Sequence, residues 1–515
     1  MESIATLIKQ YRKKSGLTQT ELGKKLYVSK QAVSKWETDK TVPDLDTIKR
    51  LSNILNIPSD EILGKITNDP RVNSEILEYM KYRAQTNKES TQIEKWRDFK
   101  FGMFIHYGLY SILEQGEWAL IRNHHDIDEY SKLAEKFTAE KFDAKYICDL
   151  AEKAGMKYAV FTARHHEGYC LFDSKSSIDN YTVMNSPCKR DLVAEFCDAC
   201  RDKGLGVGIY YSPADWRCQG FFMPHLYKKS AERMIKQCYD QVDELMQNYG
   251  KVDIMWFDHG DDYIISYGID LSFPHIPRPK DWRKKPLVKE FWGEFELDKK
   301  IRQMQPEIVI NNRLGMHRTG DYVTPERVVG GFNTIDPWET CECLSETWGY
   351  EPNKEVMSLK RVVTLLVNVV TGGGNLLLNL SPKGDGSIDP KHAKRLLEVG
   401  EWTSKYSEAI YGTRGGPIRN VPDVGGFTNK GNKLYCFIID EKVTSFKIPL
   451  CDGKVKSIKT LSNEGIASTK EKNDYLTVDL KTPIKDGIAA VVEIEFDREV
   501  SKIYENFDSL KISAF

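Results

Sequence analysis

Lys251-Val252-Asp253-Ile254-Met255-Trp256-Phe257-Asp258 is an apolar run that stops abruptly at a carboxylate. A short apolar segment bounded by polar residues reads as a strand buried on both faces, the kind found in parallel sheets. Outward from it, strand-like runs recur at 101–106, 158–163, 206–212, 307–312 and 376–380. Amphipathic helical stretches separate them at 144–154, 192–203, 231–248, 298–304 and 359–370. Such alternation predicts a parallel sheet. Polar and aromatic residues gather just after the strand ends, where a (β/α)8-like barrel holds its site. A doubly wound sheet would need a Gly-rich phosphate loop after its first strand, and Phe101-Gly102-Met103-Phe104-Ile105-His106 offers none.

At 515 residues the chain is long enough for several domains. We expect the barrel over 94–412, reached through a polar linker at 65–93 that carries a short helix near 75–83. After about Gly412 the helical period disappears. Short alternating runs at 433–439, 444–448, 455–461, 475–480 and 489–495, separated by Gly, Asn, Lys and Asp turns, predict an antiparallel β-sandwich over 413–515. It shows no carboxylate or His cluster and reads as structural. The net charge of -1 means that any nucleic-acid role rests on a local patch. The start, Met1-Glu2-Ser3, lacks a basic stretch followed by an apolar one, so no signal peptide is expected. No apolar run approaches membrane-spanning length. The 11 cysteines are scattered, which fits a cytoplasmic chain with reduced thiols. Cys197 and Cys200 form a CxxC inside a predicted helix with no second pair nearby, so packing is favoured over zinc or redox work.

Residues 1–64 read as a bundle of short helices. Ile4, Leu7, Ile8 and Tyr11 make one apolar stripe, broken at Ser15-Gly16-Leu17-Thr18. Thr18 with Glu21 is a capping box opening a second helix to about Leu26. Ser29 is placed to cap a third helix carrying Lys30, Gln31, Ser34, Lys35 and Trp36. Leu45, Ile48, Leu51, Leu55 and Ile57 give a fourth. Two short helices joined by a tight turn suit a helix-turn-helix. The segment from Leu17 through Glu37 resembles the Cro/C1-type (XRE) family. The resemblance implies that Gln19 touches phosphate and that Gln31, Ser34 and Lys35 face the major groove of duplex DNA. Lys30 and Lys35 would neutralise phosphates. The plainer alternative is a bundle used for protein contacts.

Two carboxylates stand out in the barrel region. Asp258 ends the opening run, and Glu339 follows Trp338 in Asp336-Pro337-Trp338-Glu339-Thr340-Cys341. Glycosidic bonds are commonly cleaved by two carboxyl groups, one a nucleophile or base and the other an acid. His165-His166 ends another strand-like run. Adjacent residues on a strand face opposite ways, so the pair does not read as a metal site unless the strand has ended. No HExxH-type spacing is present, and neither metal nor cofactor is expected. Taken alone, Asp258 could cap a following helix, and Glu117 could belong to a buried ion pair.

Residues 95–500 resemble the α-L-fucosidases of glycoside hydrolase family 29. The resemblance runs through Phe101-Gly102-Met103-Phe104-Ile105-His106-Tyr107-Gly108, Gly116-Glu117-Trp118 and Arg164-His165-His166-Glu167-Gly168-Tyr169. It continues through Gly208-Ile209-Tyr210-Tyr211-Ser212, Trp256-Phe257-Asp258, Asn311-Asn312-Arg313, Trp338-Glu339-Thr340-Cys341, Trp348-Gly349-Tyr350 and Gly373-Gly374-Asn375-Leu376-Leu377-Leu378-Asn379. It implies hydrolysis of terminal α-L-fucosides with retention through a covalent fucosyl-enzyme. Asp258 would be the nucleophile and Glu339 the acid/base, with Glu117, Glu342 and Glu346 as rivals for the acid. His106, Glu117, Trp118, His165, His166, Tyr211, Trp256 and Arg313 would bind the sugar. Tyr107 stands where many members have Trp, and Ala119 where an aromatic is common. A long stretch at 261–296 separates the carboxylates and reads as a rim loop.

The expected protein is therefore a fucosidase with an attached DNA-binding module. A transcription regulator that senses fucosides without cleaving them is the alternative, though a sensor would not need a nucleophile. Assembly into a homo-oligomer is compatible with either.

Overall fold

A computed structural model describes residues 4–26, 28, 30–40, 43, 47, 51, 54, 55 and 57. It then describes 89–258 and 291–504, except for 315–318, 330, 335, 420–424, 441, 462–465, 473 and 481–487. Ser29, Leu45, Ile48, the helix expected near 75–83 and most of the expected rim loop lie outside the described residues. The chain divides into two compact units, Met1–Thr91 with Gly293–Lys299, and Gln92–Trp292 with Lys300–Phe515.

In the first unit the helices Ile4–Lys14, Gln19–Leu26 and Lys30–Glu37 form in the predicted order. The capping box is made: Glu21 N donates to Thr18 Oγ1 at 3.2 Å, and Thr18 N donates to Glu21 Oε2 at 2.7 Å. Leu7, Ile8, Leu22, Leu26, Val33 and Trp36 share one core with Leu51, Leu55 and Ile57. A buried ion pair locks the first and third helices together: Arg12 Nε donates to Glu37 Oε1, and Arg12 Nη2 to Oε2 at 3.0 Å. Burial alone would push the Glu37 carboxyl up, but hydrogen bonds from Arg12 and Gln19 outweigh it and hold it below its ordinary value.

The second unit is built on parallel strands β1 (Phe101–Ile105), β2 (Tyr158–Arg164), β3 (Gly206–Tyr211), β4 (Ile254–Phe257), β5 (Val309–Ile310), β6 (Glu339–Cys343) and β7 (Asn375–Leu380). Their order is β5-β4-β3-β2-β1-β7-β6. Residues 322–326 close the ring. Asn311 bridges to Tyr322, Val323 to Trp338 and Glu326 to Cys341, all parallel. Between the Val323 and Glu326 bridges Pro325 has no N–H to continue the ladder. Helices Ala144–Lys153, Leu192–Asp202, Lys228–Asn248 and Leu359–Thr371 make crossovers. Asp143, Asp191 and Ser358 cap three of them through their side chains. The barrel interior packs Phe104, Tyr158, Val160, Tyr210, Ile254, Trp256, Cys341 and Leu377.

The linker reading differs at its end. The helix Glu89–Phe99 covers 89–93, and its Trp96 packs 4.2 Å from Tyr322. The C-terminal region has a five-stranded sheet ordered β12-β15-β10-β9-β8 and a three-stranded sheet ordered β11-β14-β13. These comprise β8 (Arg414–Gly415), β9 (Phe427–Lys430), β10 (Lys433–Ile438), β11 (Ser445–Pro449), β12 (Val455–Thr460), β13 (Ile466–Lys472), β14 (Tyr475–Leu480) and β15 (Ala490–Phe496). Among the described residues no helix is long and apolar enough to cross a membrane.

Removing one partner of a buried ion pair costs about 3–5 kcal/mol. Glu37→Leu is therefore expected to strip amide-exchange protection from residues 4–37 while the barrel strands keep theirs. The pair's contribution should be present above the ordinary carboxylate range and fade as pH falls through the lower folded value. Undiminished protection of residues 4–37 in the variant would contradict this.

Candidate active site

The strand ends converge on a cleft of about 210 Å³. His106 follows β1, His165 and His166 follow β2, Tyr210 is the penultimate residue of β3, Asp258 follows β4 and Arg313 follows β5, and all six line it. Phe104, Trp256 and Trp348 supply aromatic walls.

Both histidines of the pair reach the cleft because the strand has ended. The β2–β3 register shifts between Thr162 and Arg164, and the chain then turns, with Gly168 N donating to His165 O at 3.0 Å. Gly168 has φ +85, and a Cβ there would meet the Asp215 carboxyl at 2.6 Å, so only glycine fits. Asp215 is fully buried between Arg164 and Arg217, at 2.9 and 2.8 Å. Arg164 also donates to the carbonyls of Ser212 and Ala214 at 2.5 and 2.9 Å. This fixes Ser212, whose Oγ lies 2.7 Å from His166 Nδ1.

Asp258 is held from two sides. Arg313 Nη1 donates to Oδ1 at 2.9 Å, and the Tyr210 hydroxyl donates to Oδ2 at 3.0 Å. His166 Nε2 lies 3.6 Å from Oδ2. Burial and the Asp258 charge push the Tyr210 phenol well above its ordinary value, so it remains a donor. Burial alone would lower the Arg313 guanidinium, but the facing carboxylates raise it. Arg313 also lies 4.7 Å from the Trp256 ring.

His106 is neutral. Burial pushes it down to about 4. Asn379 Nδ2 donates to Trp348 O at 2.8 Å, which turns its Oδ1 toward His106 Nδ1, also at 2.8 Å. His106 therefore carries its proton on Nδ1, leaving Nε2 as an acceptor.

Two expected residues lie elsewhere. Tyr211 faces away: its hydroxyl donates to Gln241 Oε1 at 2.9 Å. Side chains alternate along β3, so Tyr210, not Tyr211, faces the cleft. Glu339 does not line the cleft either. It is the first residue of β6, at the N-terminal end of the barrel, and is fully buried. It accepts from Tyr158 OH at 2.5 Å and from Trp256 Nε1 at 2.9 Å. Burial pushes its carboxyl up to about 7 despite those bonds. Its position suits fixing Trp256, not meeting a leaving group.

A further carboxylate, not expected from the sequence, lies in the cleft. Glu326 Oε2 accepts from the same Arg313 Nη1 at 3.0 Å, and its Oε1 accepts from Trp348 Nε1 at 3.1 Å. The Asp258 and Glu326 oxygens on that nitrogen are thus separated by at most the sum of the two bonds, roughly 6 Å, and retaining pairs lie about 5–5.5 Å apart. Glu117 also lines the cleft, but its Oε2 accepts from the backbone of Trp348 and Gly349 at 3.1 and 2.9 Å, and burial raises its carboxyl. Trp118 lines the cleft beside His166. Glu346 lines it and pairs with Lys354. Glu342 pairs with Arg327 at 3.3 Å. No group of three His, Cys, Asp or Glu side chains able to hold a metal ion occurs among the described residues.

In the first unit, Lys30, Gln31 and Lys35 are exposed and Ser34 is half-buried, on the face opposite buried Val33 and Trp36. Gln19 is set apart: its Nε2 donates to Glu37 Oε2 at 2.9 Å.

Because folding holds the Glu339 proton more tightly, this residue's contribution to stability should be fully present below the ordinary carboxylate range and be lost as pH rises to about 7. Glu339→Gln has no proton to lose, so its melting temperature should decline less over that window. A decline as steep as in the wild type would contradict this.

A family model described as alpha-L-fucosidase matches residues 72–408, and one described as helix-turn-helix matches residues 8–62. An alpha-L-fucosidase of Dictyostelium discoideum is 27% identical over 406 residues, covering 70% of this chain and 81% of that protein. Alpha-L-fucosidase isoenzyme 1 from Paenibacillus thiaminolyticus is 32% identical with a TM-score of 0.67, covering 79% of this chain and 99% of that structure. A GH29 alpha-L-fucosidase from Bacteroides thetaiotaomicron, trapped as a covalent intermediate with 2-fluoro-fucosyl fluoride in a glutamate-to-glutamine variant, is 25% identical with a TM-score of 0.67 and covers 79% of this chain and 96% of that structure. With the family model spanning most of the barrel and the strand ends converging on paired carboxylates, the chain belongs to the α-L-fucosidases of glycoside hydrolase family 29 and carries a helix-turn-helix region at its N-terminus.

Proposed function

We propose that the chain is a retaining exo-α-L-fucosidase in which Asp258 is the nucleophile and Glu326 the acid/base. The observation that carries this is the single guanidinium nitrogen of Arg313 shared by both carboxylates. The cleft, at about 210 Å³, is smaller than the roughly 300–1,000 Å³ usual for drug-sized ligands, which suits one sugar unit. The aromatic walls suit the C6 methyl of fucose, and neutral His106 offers Nε2 to a hydroxyl.

In the first step Asp258 attacks C1, the bond to the aglycone oxygen breaks, and Glu326 gives that oxygen its proton. The resulting ester removes the Asp258 charge and leaves Arg313 facing Glu326 alone. An ionised Glu326 is what the second step requires. It takes a proton from water as the water oxygen attacks C1, and Asp258 leaves as a carboxylate.

We also propose that the N-terminal unit binds duplex DNA through the exposed face carrying Lys30, Gln31, Ser34 and Lys35. Gln can bond an adenine edge bidentately, and Lys can reach guanine or phosphate. A cytoplasmic location would put both modules in one compartment with DNA.

Azide distinguishes the catalytic roles. In Asp258→Ala, azide can displace the aglycone directly, with one inversion, so β-L-fucosyl azide is expected. In Glu326→Ala it can attack the fucosyl-enzyme, completing a second inversion, so α-L-fucosyl azide is expected. Full activity of Glu326→Ala on substrates with poor leaving groups, or the β-azide from that variant, would overturn the assignment.

For DNA, affinity should fall steeply with salt as condensed counterions are released. Gln31→Ala should cost about 1–3 kcal/mol at one base pair and relax preference there. Binding isotherms that ignore both salt and Gln31 would contradict the proposed face.

A further inference from the structure

The rim of the cleft carries a charge that the catalytic assignment leaves unused. Glu326 pairs with Arg313, which it shares with Asp258, Glu346 with Lys354 at 3.0 Å, and Glu342 with Arg327. Arg122 differs. It ends the short helix Ala119–Arg122, is exposed and lines the cleft. No carboxylate lies within 4.0 Å of its guanidinium among the described residues. Glu117 feels its charge, but Glu117 is buried with Oε2 committed to the backbone of Trp348 and Gly349. The Arg122 guanidinium lies instead 5.8 Å from the ring of half-buried Trp118, which packs on buried Trp216 at 5.0 Å.

The geometry of an exo site decides what meets this pair. The fucosyl unit fills the buried end, against Asp258, His106 and Trp256. Whatever it is attached to extends past the exposed rim, because Glu326, which protonates the leaving oxygen, is itself exposed. An aglycone there meets an aromatic face from Trp118 and a cation from Arg122. A guanidinium is a planar fork of donors that matches a carboxylate, sulfate or phosphate group. Among the described residues that line the cleft, the other charges are paired and Arg122 is the cation left to answer an anion.

We propose, on the catalytic assignment above, that Trp118 and Arg122 form a leaving-group subsite that favours fucosides whose aglycone carries an anionic group. Trp118 takes the face of the aglycone ring, and Arg122 takes its anion. The contact exists before and during bond cleavage, so it acts through KM more than kcat.

The test compares 3-carboxyphenyl and 3-carbamoylphenyl α-L-fucosides, which share a shape and differ in charge, on the full chain. Wild type is expected to favour the carboxylate by about tenfold in kcat/KM, the size of a charge-assisted hydrogen bond at a partly solvated site, and the ratio should shrink as salt rises. Arg122→Gln should bring the ratio to near one. Arg122→Lys, which keeps the charge but loses the fork, should keep part of it. Each ratio is taken within one variant, so a general loss of activity cancels. Equal kcat/KM for the two substrates in wild type, or a preference that survives Arg122→Gln, would overturn the subsite. Failure of the folded wild type to hydrolyse either substrate would instead overturn the catalytic assignment on which the subsite rests.

Discussion

One guanidinium sets the geometry of this site. Arg313 reaches from the end of β5, lies beside the Trp256 ring, and donates from one nitrogen to both Asp258 and Glu326. Two carboxylates held this close repel each other, and a shared cation offsets that repulsion. It also limits how far apart they lie, and in the proposed mechanism that short separation favours retention. The rest of the barrel serves that placement. Asn311 Oδ1 accepts from Phe257 N at 2.8 Å, one residue before Asp258, and its Nδ2 donates to Phe257 O at 2.8 Å. The segment 322–326 carries Glu326 to the same point while filling the gap between β5 and β6.

Below this layer the barrel interior is polar where it supports the cleft floor. Glu339 and Tyr158 sit at the N-terminal strand ends, and Glu339 accepts from Trp256. Trp256 in turn lies against Arg313. The buried carboxyl thus acts on the site through an indole, from the end of the barrel that contributes to stability more than to chemistry.

Much of the architecture was legible because parallel strands buried on both faces are continuous apolar runs. That holds for β1, β2, β3, β4 and β7. It fails for β6, Glu-Thr-Cys-Glu-Cys, whose polar side chains are satisfied inside the barrel or at its ends. It fails again at 322–326, where Pro325 breaks the ladder and no apolar period survives. Glu326 was hidden for that reason. Glu339 drew attention as a carboxylate beside a Trp, but sequence does not say which end of a strand a residue occupies. The choice between Tyr210 and Tyr211 turned on the phase of alternation, which two adjacent tyrosines leave open. Asp258 was legible because an apolar run ended on it. In the N-terminal unit the capping box and apolar stripe were legible, while the commitment of Gln19 to Glu37 depended on a contact 18 positions away.

The most direct test of the Asp258–Glu326 pairing is to treat the Glu326→Gln variant with 2-fluoro-fucosyl fluoride and map the modified peptide by mass spectrometry. The fluorine slows the second step and the missing base slows it further, so the fucosyl-enzyme should accumulate. The account expects one sugar per chain, esterified to Asp258. A label on any other carboxylate, or an unlabelled chain that still turns the reagent over, would contradict it.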